Sequence, residues 1–246
     1  GLFGVVSGGA YIHDFTLDSS CSIEGVAFVG VVGGSNDTGP VTIDKVGNEA
    51  DVTGAAQNVS GIFGCNMNST ATIIISNCYN TGKISGGLES ATLSGWLGNN
   101  AVVDNCYNIG EVSGTEGSKT FARGGFSYVN CYETGGSQVP SINASQIADG
   151  ELCYLLNDGR ETWRQNLGSD THPVPRRTHF MVYYDAGNGS YYNNPDDNPD
   201  DVPFIEATMA HYGIYDLKGR LVRKSANGTA GLQKGIYLIN GREVVV

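Results

Sequence analysis

One short motif recurs along the first half of the chain and constrains its fold more than any other feature. It reads NCYNTGKISG at residues 77–86 and NCYNIGEVSG at 105–114, and it returns in a shortened form, NCYETGG, at 130–136. Self-similarity at this spacing is typical of a stacked repeat, in which each copy is one supersecondary unit. The motif therefore predicts a repeat architecture.

Glycine-flanked hydrophobic pairs suggest where each repeat begins. GLFG, AFVG, GIFG, GWLG and a degenerate GGFS start at residues 1, 27, 61, 95 and 124, with spacings of 26, 34, 34 and 29. The interiors VTIDKV, ATIIIS and AVVDN are short and β-branched and show no helical period. We predict an all-β parallel solenoid whose coils hydrogen-bond to one another about 4.8 Å apart. In it, these hydrophobic residues alternate between core and surface: Leu2, Phe3, Phe28, Val29, Ile62, Phe63, Trp96, Leu97 and Phe126.

The asparagine and the cysteine of the motif each have a predicted structural role. We expect the asparagines to stack as an amide ladder and the cysteines to form a buried column, because free cysteine packs as a small hydrophobe. Disulfides between neighbouring coils remain an alternative. A metal site is not predicted, since zinc ligation by cysteine needs CxxC or CxxH pairs that converge. The structural residues are Asn77, Cys78, Asn105, Cys106, Asn130 and Cys131.

A glycine-flanked pair, an NCYNTG strand and a hydrophobic-Ser-Gly close together resemble the GLUG repeat over residues 1–136. That repeat occurs in large surface proteins of Gram-negative bacteria, among them adhesins and proteins associated with IgA-specific peptidases. The resemblance implies a right-handed β-helix and a surface role, and it brings no catalytic residues. Because residue 1 is not Met and lies within a repeat, we expect the chain to be part of a longer exported protein.

The segment that follows the repeats is expected to cover the end of the solenoid, because open sheet edges invite aggregation. NASQIADGELCYLLND predicts a short helix with Asn143 or Ser145 as the N-cap and Gly150 as an interruption. We assign residues 1–192 to the solenoid with its cap. NNPDDNPDD, at 193–201, reads as an acidic linker, with calcium binding as the alternative.

Two tyrosine pairs flank AGNG in FMVYYDAGNGSYYNN, a pattern typical of a β-hairpin. A tyrosine offers a flat apolar face and a polar hydroxyl, which suits contact with a sugar ring. Cross-strand aromatic packing is the structural alternative. The candidate ligand contacts are Tyr183, Tyr184, Tyr191 and Tyr192.

Residues 202–246 form a second predicted unit. HYGIYDL, RLVRKS, KGIYLI and REVVV, with turns at Lys218–Gly219 and Asn240–Gly241, indicate an antiparallel meander. GIYDLKGRLV followed by LQKGIYLINGREVVV resembles the C-terminal sorting domain of type IX secretion substrates over residues 211–246. The PNP-led first strand and the terminal lysine of that family are missing. The resemblance implies export to the cell surface or beyond, with the secretion machinery as a partner.

Composition restricts the remaining functions. A net charge of −11 and a pI near 4.6 argue against nucleic-acid binding, and no apolar run is long enough to span a membrane. We expect no catalytic site and no cofactor, because HExxH and GxSxG motifs are missing and both the histidines and the carboxylates are scattered. The histidines are His13, His172, His179 and His211; the repeat carboxylates are Asp44, Asp51, Asp104, Glu111 and Glu133.

The sequence thus predicts a non-catalytic, secreted or cell-surface β-solenoid of adhesin type, with a host or microbial glycan or surface protein as partner. A spacer within a larger surface peptidase is the main alternative. A β-helical enzyme that cleaves polysaccharides is the other.

Overall fold

The computed structural model describes residues 1–68 and 70–195, together with four strands nearer the C-terminus. Contacts divide the chain into two compact units, Gly1–Asp197 and Asn198–Val246, with the boundary inside the predicted 193–201 linker. The first unit is a parallel β-solenoid of about four turns, and the second contains a small antiparallel sheet. Among the described residues, strands account for 42% and helices for 6%, so the predicted all-β class is confirmed.

The solenoid is built from short strands that repeat coil by coil. The first two coils contain β1 (Phe3–Val6), β2 (Ala10–Leu17), β3 (Ser22–Gly25), β4 (Gly33–Asn36), β5 (Val41–Asn48) and β6 (Asp51–Gly54). The third contains β7 (Phe63–Cys65), β8 (Ile73–Ser76), β9 (Tyr79–Asn80) and β10 (Ile84–Ser85). The fourth and the partial fifth contain β11 (Ser94–Asp104), β12 (Tyr107–Asn108), β13 (Val112–Ser113), β14 (Ala122–Val129) and β15 (Tyr132–Glu133).

Neighbouring coils are aligned as predicted at the NCY motif but not at the glycine-flanked pairs. The motif copies stack directly, with Tyr79 opposite Tyr107. Phe63, however, lies opposite Ser94 and not opposite Leu97, so the predicted alignment of GIFG with GWLG is wrong. The register between coils depends on which side chains are buried in the core. Glycine has no side chain, so a glycine-flanked pair does not specify the register. The pairing of β11 with β14 contains two irregularities that absorb changes of register here.

The same error affects the first coils and the predicted alternation. Phe3 lies opposite Gly33, outside AFVG. Ile62 and Phe63 are both fully buried, so strict alternation is wrong in the third coil, whereas Trp96 is exposed. Most buried positions are aliphatic and stack along the solenoid axis, for example Val41, Ile43, Val46, Ile73, Ile75 and Val103.

The motif asparagines occupy a corner at which the backbone turns left-handed. The φ angles of Asn77, Asn105 and Asn130 are 51°, 56° and 48°, a region that asparagine tolerates better than most residues. Asn105 Nδ2 donates to Asn77 Oδ1 at 2.7 Å, and Asn130 Nδ2 donates to Asn105 Oδ1 at 2.9 Å. At the other end, Asn77 Nδ2 donates to Asp44 Oδ1 at 2.6 Å. This continuous chain of bonds is the amide ladder expected of these residues.

The motif cysteines follow the corner and point into the core. Cys78, Cys106 and Cys131 are each at most 1% exposed, and all six cysteines are free thiols. Burial, and then the neighbouring thiols, raise the pKa of Cys106 well above its usual value. The three thiols therefore form a buried column, and the disulfide alternative is not observed.

A second ladder, which the sequence analysis did not predict, lies inside the solenoid. Asn48 Nδ2 donates to Asn80 Oδ1 at 2.7 Å, and Asn80 Nδ2 donates to Asn108 Oδ1 at 3.0 Å. The ladder ends where Asn108 Nδ2 donates to the carbonyl of Thr120 at 3.1 Å. Because every buried amide needs partners, this ladder fixes the register of three coils.

The motif tyrosines stack on the flank of the solenoid. The rings of Tyr79 and Tyr107 lie 5.4 Å apart and almost parallel, and Trp163 packs 5.2 Å from Tyr107. Tyr107 Oη donates to the carbonyl of Pro173 at 2.6 Å. In the coil before, Gly47 leaves the room that the Tyr79 ring occupies. These rings form the centre of a second hydrophobic core, between the solenoid and its cap.

The predicted helix of the cap is present in two pieces. Asn143 is its N-cap, since its Oδ1 accepts from the backbone amides of Ser145 and Gln146, and the Gln146 side chain accepts from the Asn143 amide in return. Gly150, at φ 95°, separates the two helices. The elements of the cap are α1 (Ala144–Ala148), α2 (Glu151–Asn157), β16 (Tyr183–Asp185) and β17 (Ser190–Tyr192).

The cap closes one end of the solenoid and then runs back along its flank. At the end, Asn130 Nδ2 donates to two C-terminal carbonyls of α2, at 3.1 and 3.2 Å. Arg160 then makes two bonds to Asp104, at 3.0 and 3.1 Å. Further along, Arg176 lines the same depression as Thr16 of the first coil. The segment thus covers the tyrosine flank as well as the final coil.

The opposite end of the solenoid has open strand edges. Within the described residues, β1, β2 and β3 each pair on one side only, with β4, β5 and β6 respectively. Large hydrophobic side chains are exposed on this coil, namely Leu2, Phe3, Val5, Tyr11 and Val26.

The second unit contains β18 (Ile214–Asp216), β19 (Leu221–Arg223), β20 (Ile236–Ile239) and β21 (Arg242–Val245), all antiparallel. Their order, β19-β18-β20-β21, differs from the predicted meander. Residues 224–235 separate β19 from β20, a connection longer than a tight hairpin turn, so these two strands are not obliged to pair. The two predicted turns and the acidic residues 196–201 lie outside the described residues.

Candidate functional site

The predicted hairpin forms, and its four tyrosines face one another in pairs. Tyr183 lies opposite Tyr192, with ring centroids 5.7 Å apart, and Tyr184 lies opposite Tyr191, at 5.1 Å. The two pairs occupy opposite faces of the hairpin, because successive side chains of a strand alternate. The cross-strand packing considered from the sequence is therefore present. It leaves Tyr184 43% and Tyr192 45% exposed, so packing and ligand contact are compatible.

A fifth tyrosine, which the sequence analysis missed, joins one of these pairs. Tyr154 of α2 lies 5.8 Å from Tyr184 and 5.6 Å from Tyr191, measured between ring centroids. We call Tyr154, Tyr184 and Tyr191 the tyrosine cluster. Tyr154 and Tyr184 are both more than 40% exposed. Three rings tilted by 43° to 50° to one another thus present aromatic surface to solvent on one side of the cap.

A depression of about 480 Å³, which we call the hairpin groove, lies beside the cluster. Tyr184 and Tyr191 line it together with the carboxylates of Asp149 and Glu151. The position of the Asp149 carboxylate is set locally, since its Oδ1 accepts from the Glu151 backbone amide at 3.0 Å across the break between α1 and α2. Burial, and then the nearby Glu151 and Asp149, raise the pKa of Tyr191, so its hydroxyl remains a donor at neutral pH.

A second depression, of about 600 Å³, lies on the other side of Tyr154, and we call it the helix groove. Tyr132, Tyr154 and Tyr183 line it, together with polar residues that follow α2. Tyr132 Oη donates to Asn130 Oδ1 at 3.0 Å, which connects this groove to the corner ladder. Burial, and then the Asp158 carboxylate, raise the pKa of Tyr132.

Three of the five repeat carboxylates, Asp44, Asp104 and Glu133, form hydrogen bonds or ion pairs with other parts of the scaffold. Asp44 accepts from Ser76 Oγ at 2.8 Å as well as from the corner ladder, and Asp104 pairs with Arg160. The buried Glu133 accepts from two backbone amides of the turn at Gln138 and Val139. These three carboxylates are therefore engaged in bonds within the scaffold.

The three histidines of the described chain each have a different polar partner. His13 is 2.5 Å from Asp14, His172 bonds to Tyr107 Oη at 2.9 Å, and His179 is 3.7 Å from Asp170. Within residues 1–68 and 70–195 and the four C-terminal strands, no group of three or more His, Cys, Asp or Glu side chains could hold a metal ion. In the same part of the chain no helix has the length and hydropathy of a membrane span.

The residues missed from the sequence are those that only folding brings to the hairpin. Tyr154, Asp149 and Glu151 lie some thirty residues or more before Tyr184, in a segment interpreted for its helical period. Glu151 and Tyr154 are three residues apart, and on α2 this spacing places them on one face. That spacing was the available clue. Comparison of the chain with models of protein families, with curated proteins and with solved structures found no match.

Proposed function

We propose that this chain is a non-catalytic, glycan-contacting module of a secreted or cell-surface protein. The observation that carries the proposal is the tyrosine cluster, Tyr154, Tyr184 and Tyr191, whose first two rings lie exposed beside the carboxylates of Asp149 and Glu151. None of these side chains belongs to the repeat, so the surface is additional to what the solenoid needs.

The chemistry of the cluster suits a sugar better than it suits most other ligands. A tyrosine ring gives an apolar face on which the C–H groups of a pyranose can rest, and its hydroxyl supplies a polar contact at the edge. An ionised carboxylate only accepts hydrogen bonds, and sugar hydroxyls donate them. A concave surface with aromatic walls and a few convergent polar groups is the usual form of a small-ligand site.

A binding experiment tests this proposal directly. The whole chain would be applied to a glycan array beside the variants Tyr184→Ala and Tyr11→Ala. Tyr11 is a matched control, because it is an exposed tyrosine of the first coil that lines neither groove. We expect glycan binding by the wild type and the control and loss of signal for Tyr184→Ala. Equal signals for the two variants would contradict the assignment of the site.

We also propose a cell-surface address in a Gram-negative bacterium, reached by a type IX-like route. The support is the resemblance of residues 1–136 to GLUG repeats and of residues 211–246 to sorting domains. In a bacterium that has this secretion system, the chain without residues 202–246 should stay inside the cell envelope, while the intact chain reaches the surface or the medium. Identical localisation of the two would refute a sorting role.

A structural spacer in a larger surface peptidase is the second candidate. The resemblance of residues 1–136 to GLUG repeats favours it, because that repeat occurs in proteins associated with IgA-specific peptidases. A spacer has no ligand, so the absence of any array signal would favour it over the glycan module. A polysaccharide-cleaving solenoid receives less support, since Asp44, Asp104 and Glu133 are engaged in structural bonds.

A further inference from the structure

We infer that the ligand is an uncharged oligosaccharide that extends across Tyr154, from the hairpin groove into the helix groove. The inference rests on the proposed glycan contact and adds two properties to it. One is the absence of charge on the ligand. The other is a length of more than one sugar ring.

The two grooves have no lining residue in common, but α2 and β16 contribute side chains to both, and Tyr154 connects them through its ring contacts. Tyr154 lines the helix groove and is also a member of the tyrosine cluster, whose other two rings line the hairpin groove. Tyr183 and Tyr184 are neighbours on β16 and therefore point to opposite faces, Tyr183 into the helix groove and Tyr184 into the hairpin groove. An aromatic ridge thus separates two concave surfaces, and each of them has its own tyrosines.

The size of the grooves requires an extended ligand to fill both. Their volumes, about 480 and 600 Å³, each lie within the range of ordinary small-ligand sites. A single ring that stacks in the hairpin groove leaves the helix groove to solvent, because Tyr154 lies between them. A chain of several rings can cross Tyr154 and contact Tyr183 as well. Affinity is therefore expected to rise with chain length.

The charges that line the grooves disfavour an anionic sugar. Among the described residues, the hairpin groove is lined by the carboxylates of Asp149 and Glu151 and by no cationic side chain. The helix groove has two carboxylates, those of Asp158 and Glu161, and one cation, Arg160. The Arg160 guanidinium makes two bonds to Asp104, so its charge is already paired. Uronic, sialylated or sulfated sugars would meet carboxylates with no unpaired cation to compensate, whereas neutral hydroxyls would find acceptors.

The test uses the whole chain and two sets of probes. An array of neutral, uronic, sialylated and sulfated glycans would first identify the class that binds. Titration calorimetry would then follow neutral oligosaccharides of one to six rings, built from the sugar that gives the strongest array signal. We expect neutral glycans to be preferred and affinity to rise by roughly tenfold or more from the shortest binding oligosaccharide to the longest. Preference for an anionic class, or constant affinity across the series, would overturn the inference.

Two tyrosine variants separate this inference from the proposed function. Tyr184→Ala should weaken both short and long oligosaccharides, while Tyr183→Ala should weaken only the long ones, by roughly three- to tenfold for a lost aromatic contact. Tyr11→Ala is the control, and thermal unfolding would check that each variant is folded. If Tyr184→Ala weakens binding and Tyr183→Ala leaves long oligosaccharides unaffected, the glycan site stands and its extension is wrong. If neither variant has an effect, both proposals are wrong.

Discussion

The corner ladder allows a quantitative prediction, because one residue combines a left-handed backbone with two ladder bonds. Asn105 has φ 56°, donates to Asn77 at 2.7 Å and accepts from Asn130 at 2.9 Å. Asn105→Gly keeps the left-handed backbone and removes both bonds, so it should destabilise the solenoid by about 1 to 3 kcal/mol. Asn105→Ala also places a Cβ in the left-handed region, which costs a further 1 to 2 kcal/mol or so.

The assay is equilibrium unfolding in guanidinium chloride, followed by tryptophan fluorescence. Trp163 is fully buried against the tyrosine stack, so its emission should report the loss of the solenoid flank. Lys45→Gly is the matched control, because Lys45 has φ 52° and, among the described residues, forms a weak ion pair with Asp44 at 3.8 Å. We expect that variant to stay within about 1 kcal/mol of the wild type.

Three results would refute the reasoning. Equal stability of Asn105→Gly and Asn105→Ala would mean that the left-handed corner imposes no cost on alanine. Wild-type stability of Asn105→Gly would mean that the ladder bonds contribute nothing net. A loss for Lys45→Gly as large as that for Asn105→Gly would assign the effect to glycine at a corner and not to the amide chain.

Three further predictions concern thiols, tyrosines and a glycine. At pH 8 one thiol, that of Cys21, should react rapidly with a disulfide reagent, because it is the exposed one of the six. The buried thiols should react slowly, and burial raises the pKa of one of them, Cys65, to about 11. Rapid reaction of several thiols would contradict the buried column. Burial raises the pKa of Tyr107 well above 10, so the unfolded chain loses this proton at a lower pH than the folded chain. The free energy of unfolding should therefore fall above pH 10 by about 1.4 kcal/mol per pH unit, and less steeply in Tyr107→Phe. Urea unfolding at pH 9 to 11 measures this slope, and identical slopes for the two proteins would contradict the assignment. Gly47→Ala would place a Cβ 2.3 Å from the ring of Tyr79 and should lower the free energy of unfolding by about 1 to 3 kcal/mol. Gly4→Ala is the control, because no described atom lies within 4 Å of the added Cβ. Equal melting temperatures for the two variants would refute this packing argument.

The solenoid could be predicted from the sequence because the repeated motif specifies how neighbouring coils align. In the motif the asparagine fixes a corner, the cysteine an inward face and the tyrosine a flank, and these three residues recur in three successive coils. The glycine-flanked pairs predicted register poorly, since Phe63 pairs with Ser94 and not with its apparent equivalent, Leu97. Glycine marks where a chain can turn, but it leaves open which neighbouring side chain lies opposite.

The candidate site was half predicted, for a related reason. The hairpin tyrosines are local in sequence, and the turn between them determines which residues face each other. Tyr154, Asp149 and Glu151 reach the hairpin only through tertiary packing of α2, which no local pattern specifies. The same limit explains the C-terminal sheet, where the strands were located correctly but the pairing of β18 with β20 was not.

The position of the tyrosine cluster follows from the way in which a solenoid is built. An inward position within the stack must fit the coils on both sides, so substitution there is restricted by two neighbours, and the two asparagine ladders make the restriction stricter. The cap packs on the final coil and on the tyrosine flank, and Tyr154 and Tyr184 lie on its exposed side. The cap is joined to the stack by defined bonds, those of Asn130 to the end of α2 and of Arg160 to Asp104, which orient α2 and hence Tyr154. Side chains on the outer side of the cap can therefore vary without loss of register, which makes it the part of this unit best suited to carry a binding surface.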